Sequence, residues 1–380
     1  MKRKKIVIIG PAWPYRGGIA TTNERLAKEF EAEGHQVQLI TFTLQYPSFL
    51  FPGSSQYATC EAPPLDIKRM IHSMNPFNWW RSGKKIAQSE PDIVIIRYWI
   101  PFLAPALGTV ARNIRKYSQA KVLLLADNIV PHEKRFFDNM LTRYMVQYID
   151  GFLTMSSSVL KQLDLFDTQK PRKLSVHPLF DNYGEKMDRD TALKALSLDP
   201  KNRYILFFGF IREYKGLDLL LEAFAQMSNK DNSLKLLIAG EFYASPDKYH
   251  QMIERLGLKE KVILHTHFIG EDQVKYYFNG SDIVAQPYKS ATQSGVTQIA
   301  YHFEVPMLVT NVGGLSEIVP HQKVGYVVEK DPKEIAEALD DFYSKHRYDF
   351  FVRNIKEEKQ RYSWDKLTKA CYEVCDEINS

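Results

Sequence analysis

Three places in the sequence set glycine or a cation beside the start of a helical pattern, where a chain can hold an anion. In SATQSGVTQIAYHFEVPMLVTNVGGLSEIV, from Ser290 to Val319, the residues Ser294, Gly295, Val296 and Thr297 open an apolar helix. Their backbone N–H groups lack intrahelical acceptors and are expected to face negative charge. Gln293 and Gln298 add amides close by. Arg212 and Lys215 stand between the strand-like YILFFGF and the helical GLDLLLEAFAQM, just before Gly216, where two cations would neutralise phosphate. Gly17 and Gly18 lie between KIVIIG and a further helical run, so that an anionic group can approach the backbone closely. A polar loop after KVLLLAD carries Asp127, Asn128, His132 and Glu133, of which Asp127 can hold a hydroxyl and His132 can reach a ligand.

The elements that position these residues follow from hydrophobic periodicity. KIVIIG, QVQLITF, DIVIIRY, KVLLLAD and GFLTM read as strands, followed by YILFFGF, KLLIAG, KVILHTH, DIVAQPY and PMLVTNV, with helical segments between them. Such alternation predicts parallel sheets covered by helices on both faces. In GGIATTNERLAKEFEAEG the apolar positions Ile19, Leu26, Ala27 and Phe30 mark a helix that stops at Gly34. The second strand set resumes after a stretch with little strand character, PRKLSVHPLFDNYGEKMDRDTALKALSLDPKN. Two domains are therefore expected, at 1–180 and 181–360. Asp331-Pro332 starts a late helix, and RYSWDKLTKACYEVCDEI makes a last amphipathic one at 361–380, expected to pack back toward the N-terminal domain.

Bulk properties narrow the class. The chain has 380 residues, 25% of them charged and 44% hydrophobic, as in a soluble globular protein of about two domains. Its cysteines, Cys60, Cys371 and Cys375, are too few for a disulfide framework and lack zinc-site spacing. A cytoplasmic location is expected, at the inner face of the plasma membrane if the basic half meets lipid. The apolar run DIVIIRYWIPFLAPALGTV is interrupted by Arg97, Pro101 and Pro105 and is too broken to span a bilayer. Residues 1–180 hold 24 Lys and Arg against 14 Asp and Glu, a net of +10 within a chain total of +5. That basic half, with the aromatics of TLQYPSFLFPGSSQY and MIHSMNPFNWWRSGKKI, suits an anionic membrane surface or a lipid-linked sugar. The basic residues are scattered and form no nucleic-acid motif, so nucleic acid is not expected as a partner.

Taken in order, the strand-Gly-Gly-Ile start, GFIREYKGLDLLLEAFA, SGVTQIAYHFEVPMLVTNVGGLSEIV and KVGYVV resemble a family 4 type retaining glycosyltransferase (glycosyl transferases group 1). The resemblance covers nearly the whole chain. It implies an α/β architecture of the GT-B type, in which two Rossmann-like parallel-sheet domains face a central cleft, with acceptor bound by the first and nucleotide sugar by the second. It further implies a hexosyltransferase with no tightly bound cofactor and no metal. A nucleotide-diphosphate sugar would be the donor and a glycan or lipid-linked sugar the acceptor, in polysaccharide or glycolipid synthesis.

Residue by residue, the resemblance places Gly17 and Gly18 near the donor phosphates and Lys215 in the basic pair that meets the leaving diphosphate. The usual arginine position falls on Phe210, so Arg212 is either a shifted substitute or a surface residue. Two glutamates usual in the family fall on Ala291 and Ile299, neither of which accepts a hydroxyl hydrogen bond. Phosphate binding by Ser294 to Thr297 is expected to survive, with Gln293 or Gln298 taking up lost hydrogen bonds. Where relatives carry a histidine, this chain has Asp127. Gly313 and Gly314 match a turn in the floor of the donor site, and no catalysis is assigned to Glu317. The missing glutamates also leave open a silent nucleotide-sugar-binding or partner-binding protein, and the architecture leaves open an epimerase or hydrolase.

Overall fold

The computed structural model describes residues 2–47, 56–58, 61–130, 136–228, 231–291 and 294–379. The chain forms two compact units, Met1–Pro178 with Ser363–Ser380, and Leu179–Tyr362. The first unit runs β1 (Lys5–Ile9), α1 (Gly18–Ala32), β2 (Gln36–Leu44), β3 (Ile67–His72), α2 (Pro76–Ala87), β4 (Ile93–Tyr98), α3 (Ala104–Tyr117), β5 (Lys121–Ala126), α4 (Asp138–Val146), β6 (Gly151–Thr154), α5 (Ser157–Leu163) and β7 (Arg172–Leu174). In the second come α6 (Arg189–Ala195), β8 (Arg203–Phe208), α7 (Leu217–Gln226), β9 (Leu234–Ala239), α8 (Asp247–Arg255), β10 (Val262–His265) and α9 (Val274–Gly280). It continues through β11 (Ile283–Gln286), α10 (Gly295–Phe303), β12 (Met307–Thr310), α11 (Leu315–Ile318), β13 (Gly325–Val328), α12 (Pro332–Ser344) and α13 (Tyr348–Glu358). The terminal α14 (Trp364–Asn379) returns to the first unit.

Each unit is one parallel sheet. The first has seven strands in the order β3-β2-β1-β4-β5-β6-β7, the second six in the order β10-β9-β8-β11-β12-β13. Strand order reverses between β1 and β4 in one sheet and between β8 and β11 in the other. At such reversals the loops leaving neighbouring strands part, and a crevice opens at the carboxyl ends where ligands bind.

Burial on both faces explains why the central strands read as unbroken apolar runs. All of β4 is buried. Its Val94, Ile96 and Tyr98 join Leu107 and Val110 of α3 in one core, while Ile93 and Ile95 join Leu26 and Phe30 of α1 and Leu367 and Val374 of α14 in another. Cys371 and Cys375 are both buried on α14, the shared packed face that their four-residue spacing suggests. Helix starts carry ordinary side-chain caps, Asn75 on α2, Ser156 on α5, Asp188 on α6 and Asp331 on α12.

Three strands escaped the periodicity reading, β3, β7 and β13. All three are sheet edges; in IKRMIH Lys68 and Arg69 are exposed and only Ile71 is buried, and RKL buries none. The segment MIHSMNPFNWWRSGKKI accordingly divides into the end of β3, a turn and α2. The buried face of α1 also differs from the apolar positions. Ile19 is only partly buried, whereas Thr22 is 1% and Asn23 0% exposed. These polar side chains make hydrogen bonds where they are buried, Thr22 Oγ1 donating to the Gly18 carbonyl and Asn23 Nδ2 to the Pro11 carbonyl in the loop after β1. Among the described residues no helix is long and apolar enough to cross a membrane.

Leu367, fully buried between α1 and the sheet, tests the docking of the terminal helix. Leu367→Ala should destabilise the protein by about 2–5 kcal/mol in urea unfolding, and a change below about 1 kcal/mol would contradict that packing.

Candidate functional site

In the second unit the site begins where β8 ends. Gly209, at φ 94, and Gly216, at φ 69, give the connection to α7 a path that L side chains rarely follow. A Cβ on Gly216 would overlap the Pro287 carbonyl oxygen, so glycine lets this loop lie against the one leaving β11. The Lys289 N–H donates to the Tyr214 carbonyl at 2.6 Å and fastens the two loops together.

Four cations gather here, and only two are neutralised. Lys289 and Lys248 both bond Asp218, at 2.6 and 3.2 Å, and Lys248 also reaches Glu213 at 3.3 Å. Among the described residues no carboxylate lies within ion-pair distance of Lys215 or Arg212. Arg212 instead lies with its guanidinium carbon 3.7 Å from the centroid of the Tyr243 ring. The Lys215 ammonium lies 5.6 Å from the centroid of the Tyr288 ring and close under Gly209, where a Cβ would stand 2.9 Å from it. Burial, and then the Arg212 charge, hold Lys215 down to about 8. An ammonium with that surplus of positive potential gains most from a bound anion.

Tyr288 links this pair to α10. Its hydroxyl is 3.4 Å from Ser294 Oγ, which donates to Gln286 Oε1 at 2.7 Å and accepts from the Val296 N–H at 3.2 Å. Thr297 Oγ1 donates to the Ser294 carbonyl at 2.6 Å. The structure therefore brings Arg212, Lys215, Ser294, Gly295, Val296 and Thr297 together, with one correction. The Val296 N–H, expected to face an anion, is taken by the Ser294 cap. Gly295 is set against the Phe180 ring, 2.7 Å from where its Cβ would be. Gln298 is 0% exposed, and neither atom of its amide has a hydrogen-bond partner. Gln293 lies outside the described residues. Ile299 is apolar and 5% exposed.

In the first unit, Gly17 and Gly18 are exposed, and Gly17 caps α1 at φ 114 with open space about its Cβ position. The first turn carries no acidic residue. Asp127 follows β5 and is not a lone loop carboxylate. Its two oxygens accept from Arg97 Nε at 2.5 Å and Nη2 at 2.6 Å. His177 lies near this pair and is held down to about 4 by burial, so it is neutral. Its Nδ1 is 2.8 Å from the Pro178 carbonyl oxygen and must donate, since that oxygen only accepts. His132 and Glu133 lie outside the described residues.

Residues 16–178 match the model of Glycosyltransferase Family 4, and residues 188–360 that of Glycosyl transferases group 1. The chain belongs to this glycosyltransferase family. It is 29% identical over 184 residues to an uncharacterized glycosyltransferase of Methanocaldococcus jannaschii, covering 48% of this chain and 46% of that one. To a D-inositol 3-phosphate glycosyltransferase of Mycobacterium sp. (strain KMS) it is 28% identical over 276 residues, 68% of this chain and 61% of the relative. It thus spans less than two thirds of either relative's length. Sucrose-phosphate synthase from Thermosynechococcus elongatus superposes with a TM-score of 0.74 at 16% identity, with 100% of both chains covered. Anabaena HepE in complex with UDP does so at 0.75 and 15%, covering 98% of this chain and 100% of that one. These likenesses show the fold, which is GT-B.

Sequence reasoning missed Gln286, Tyr288 and Arg97 in this family member. Gln286 and Tyr288 read as the tail of a strand, and Arg97 as an interruption in an apolar run. Only Arg97 carried a usable signal, a lone charge inside an otherwise buried strand.

Ser294 is the joint between the cation loop and α10. Ser294→Ala should lower stability by about 1–2 kcal/mol, from the lost cap and an orphaned Gln286 oxygen, with Ser294→Thr restoring most of it in thermal unfolding. An unchanged melting temperature in the alanine variant would contradict the cap.

Proposed function

We propose that this chain transfers a hexose from a nucleoside-diphosphate sugar to a hydroxyl of a glycan or lipid-linked acceptor, with retention. The observation that carries the reading is the pair Lys215 and Arg212, which have no carboxylate partner among the described residues beside the start of α10, while the neighbouring Lys248 and Lys289 are neutralised. A diphosphate supplies the missing charge. As the glycosidic bond breaks, negative charge grows on the leaving oxygen, and two fixed cations stabilise that transition state more than the ground state. In retention without a protein nucleophile, the acceptor hydroxyl attacks on the face the phosphate leaves, and the departing phosphate takes its proton. The chain's task is then charge stabilisation and positioning. Asp127 is assigned to holding a substrate hydroxyl. Gly17 and Gly18 are assigned to a close approach of the donor.

Relatives support the substrate classes. The UDP named in the HepE complex fits the diphosphate requirement, and the D-inositol 3-phosphate named for the mycobacterial relative fits a hydroxyl-bearing, anionic acceptor. The first unit also supports contact with an anionic membrane. Helices α2 and α3 carry Arg81, Lys84, Lys85, Arg112, Arg115 and Lys116 and no acidic residue of their own, with Arg115 paired to Asp150. Phe77 is 86% and Trp80 49% exposed on α2. Aromatic side chains set among cations suit a lipid headgroup layer, which supports a role in cell-envelope polysaccharide or glycolipid synthesis.

A second reading, a nucleotide-sugar-binding protein without turnover, draws on Ala291 and Ile299, which offer no carboxylate to the sugar. Nucleotide release from UDP-, GDP-, ADP- and dTDP-sugars, with and without a membrane lipid extract, separates the two. One donor should release nucleotide in an extract-dependent way, and Lys215→Ala should slow it by about 100-fold or more. Binding of a nucleotide sugar with no release under any condition would favour the second reading, and release that needs no extract would favour a hydrolase or epimerase.

A further inference from the structure

Arg97 occupies a place where β4 would otherwise continue its apolar face. Ile93 and Ile95 precede it on the same side of the sheet, packed into the core with α1 and α14. A residue needed only for packing is served as well or better by an apolar side chain, because desolvating two charges offsets most of their attraction. Arg97 is nevertheless 1% exposed and paired to Asp127.

Three features say what the pair is for. The first is place. Arg97 is next to last in β4, beside β1, where the strand order reverses. The second is rigidity. Two nitrogens of one planar guanidinium bond two separate oxygens, which fixes the carboxylate's tilt as well as its position. Gly10, following β1, closes over the arginine, since a Cβ there would stand 2.9 Å from Arg97 Cβ and 2.6 Å from Asn23 Nδ2. The third is incompleteness. Arg97 Nη1 and Asn23 Oδ1 are buried without a hydrogen-bond partner, one a donor and the other an acceptor. Asp127 keeps 11% of its side chain exposed.

We infer that Arg97 is a positioning residue, holding Asp127 to accept a hydrogen bond from a sugar or polyol hydroxyl at the carboxyl ends of β4 and β5. The pair is neutral overall, so it suits a hydroxyl, whereas an anion would meet the Asp127 carboxylate. Lysine cannot replace the arginine, because a single ammonium holds the charge and leaves the carboxylate free to turn. The inference rests on the transferase reading. The hydroxyl belongs either to the donor sugar or to the acceptor, and the two arms of the test tell them apart.

The test uses the intact chain, the donor that supports nucleotide release, and the lipid extract as acceptor. KM for the donor is measured at saturating extract, and KM for the extract at saturating donor, in wild type, Arg97→Lys, Asp127→Asn and the double variant. UDP affinity by calorimetry is the control. One of the two KM values should rise about 10-fold or more in Arg97→Lys. The same KM should rise in Asp127→Asn, and the double variant should be no worse than the poorer single one. UDP affinity should stay within about twofold of wild type, since the diphosphate cations lie in the other unit. Wild-type KM values for both substrates in Arg97→Lys, or effects that multiply in the double variant, would overturn the inference and leave the transferase reading standing. If Arg97→Lys does not fold, Asp127→Asn alone decides, because unchanged KM values there remove the hydroxyl contact. If UDP does not bind and no donor is turned over, the transferase reading fails and the inference with it.

Discussion

A half-buried ammonium group with no carboxylate beside it among the described residues is an unfavourable arrangement, and much of the second unit is built to maintain one at Lys215. The acidic residues nearby are occupied, Asp218 by Lys289 and Lys248, and Glu213 by Lys248. Gly216 brings the loop against Pro287, Tyr288 supplies an aromatic wall, and Ser294 with Gln286 fixes where α10 begins. Each of these features fits a design in which positive charge is kept available for a ligand. Together they leave a local electrostatic imbalance that suits the diphosphate leaving group of the proposed reaction.

The first unit uses charge in the opposite way. Arg97 and Asp127 cancel one another inside the sheet's end, and what remains is an oriented carboxylate rather than a field. The site in one unit therefore offers locally unbalanced positive charge, and the site in the other offers direction. That division matches a glycosyl transfer, where the departing group is anionic and the groups to be oriented are neutral hydroxyls.

How much of this was legible in the sequence depended on the range of the interactions. Central strands such as β4, β5 and β9 announced themselves, because burial on both faces demands unbroken apolar runs, while β3 and β7 did not, because edge strands share their polarity with loops. Lys215 was legible from its place before Gly216. That it lacks a partner was not, since Asp218 and Lys289 are 71 residues apart and their pairing is a tertiary fact. The start of α10 was placed correctly, yet the fate of the Val296 N–H depended on how the Ser294 hydroxyl turns, which no periodicity encodes. Arg97 was visible only as a flaw in an apolar stretch, because Asp127 lies 30 residues further on in a different strand connection.

The most direct test of the central claim is the proton balance of UDP binding, by calorimetry in two buffers of different ionisation enthalpy between pH 8 and 9. In the free protein Lys215 is held down to about 8, so it loses its charge as the pH rises through this range. A diphosphate beside it favours the charged form and raises its pKa. UDP binding should therefore take up protons from pH 8 to 9, with affinity falling as pH rises, and Lys215→Met should abolish the uptake. Binding of UDP with no proton uptake, or with the same uptake in Lys215→Met, would contradict the assignment of Lys215 to the diphosphate.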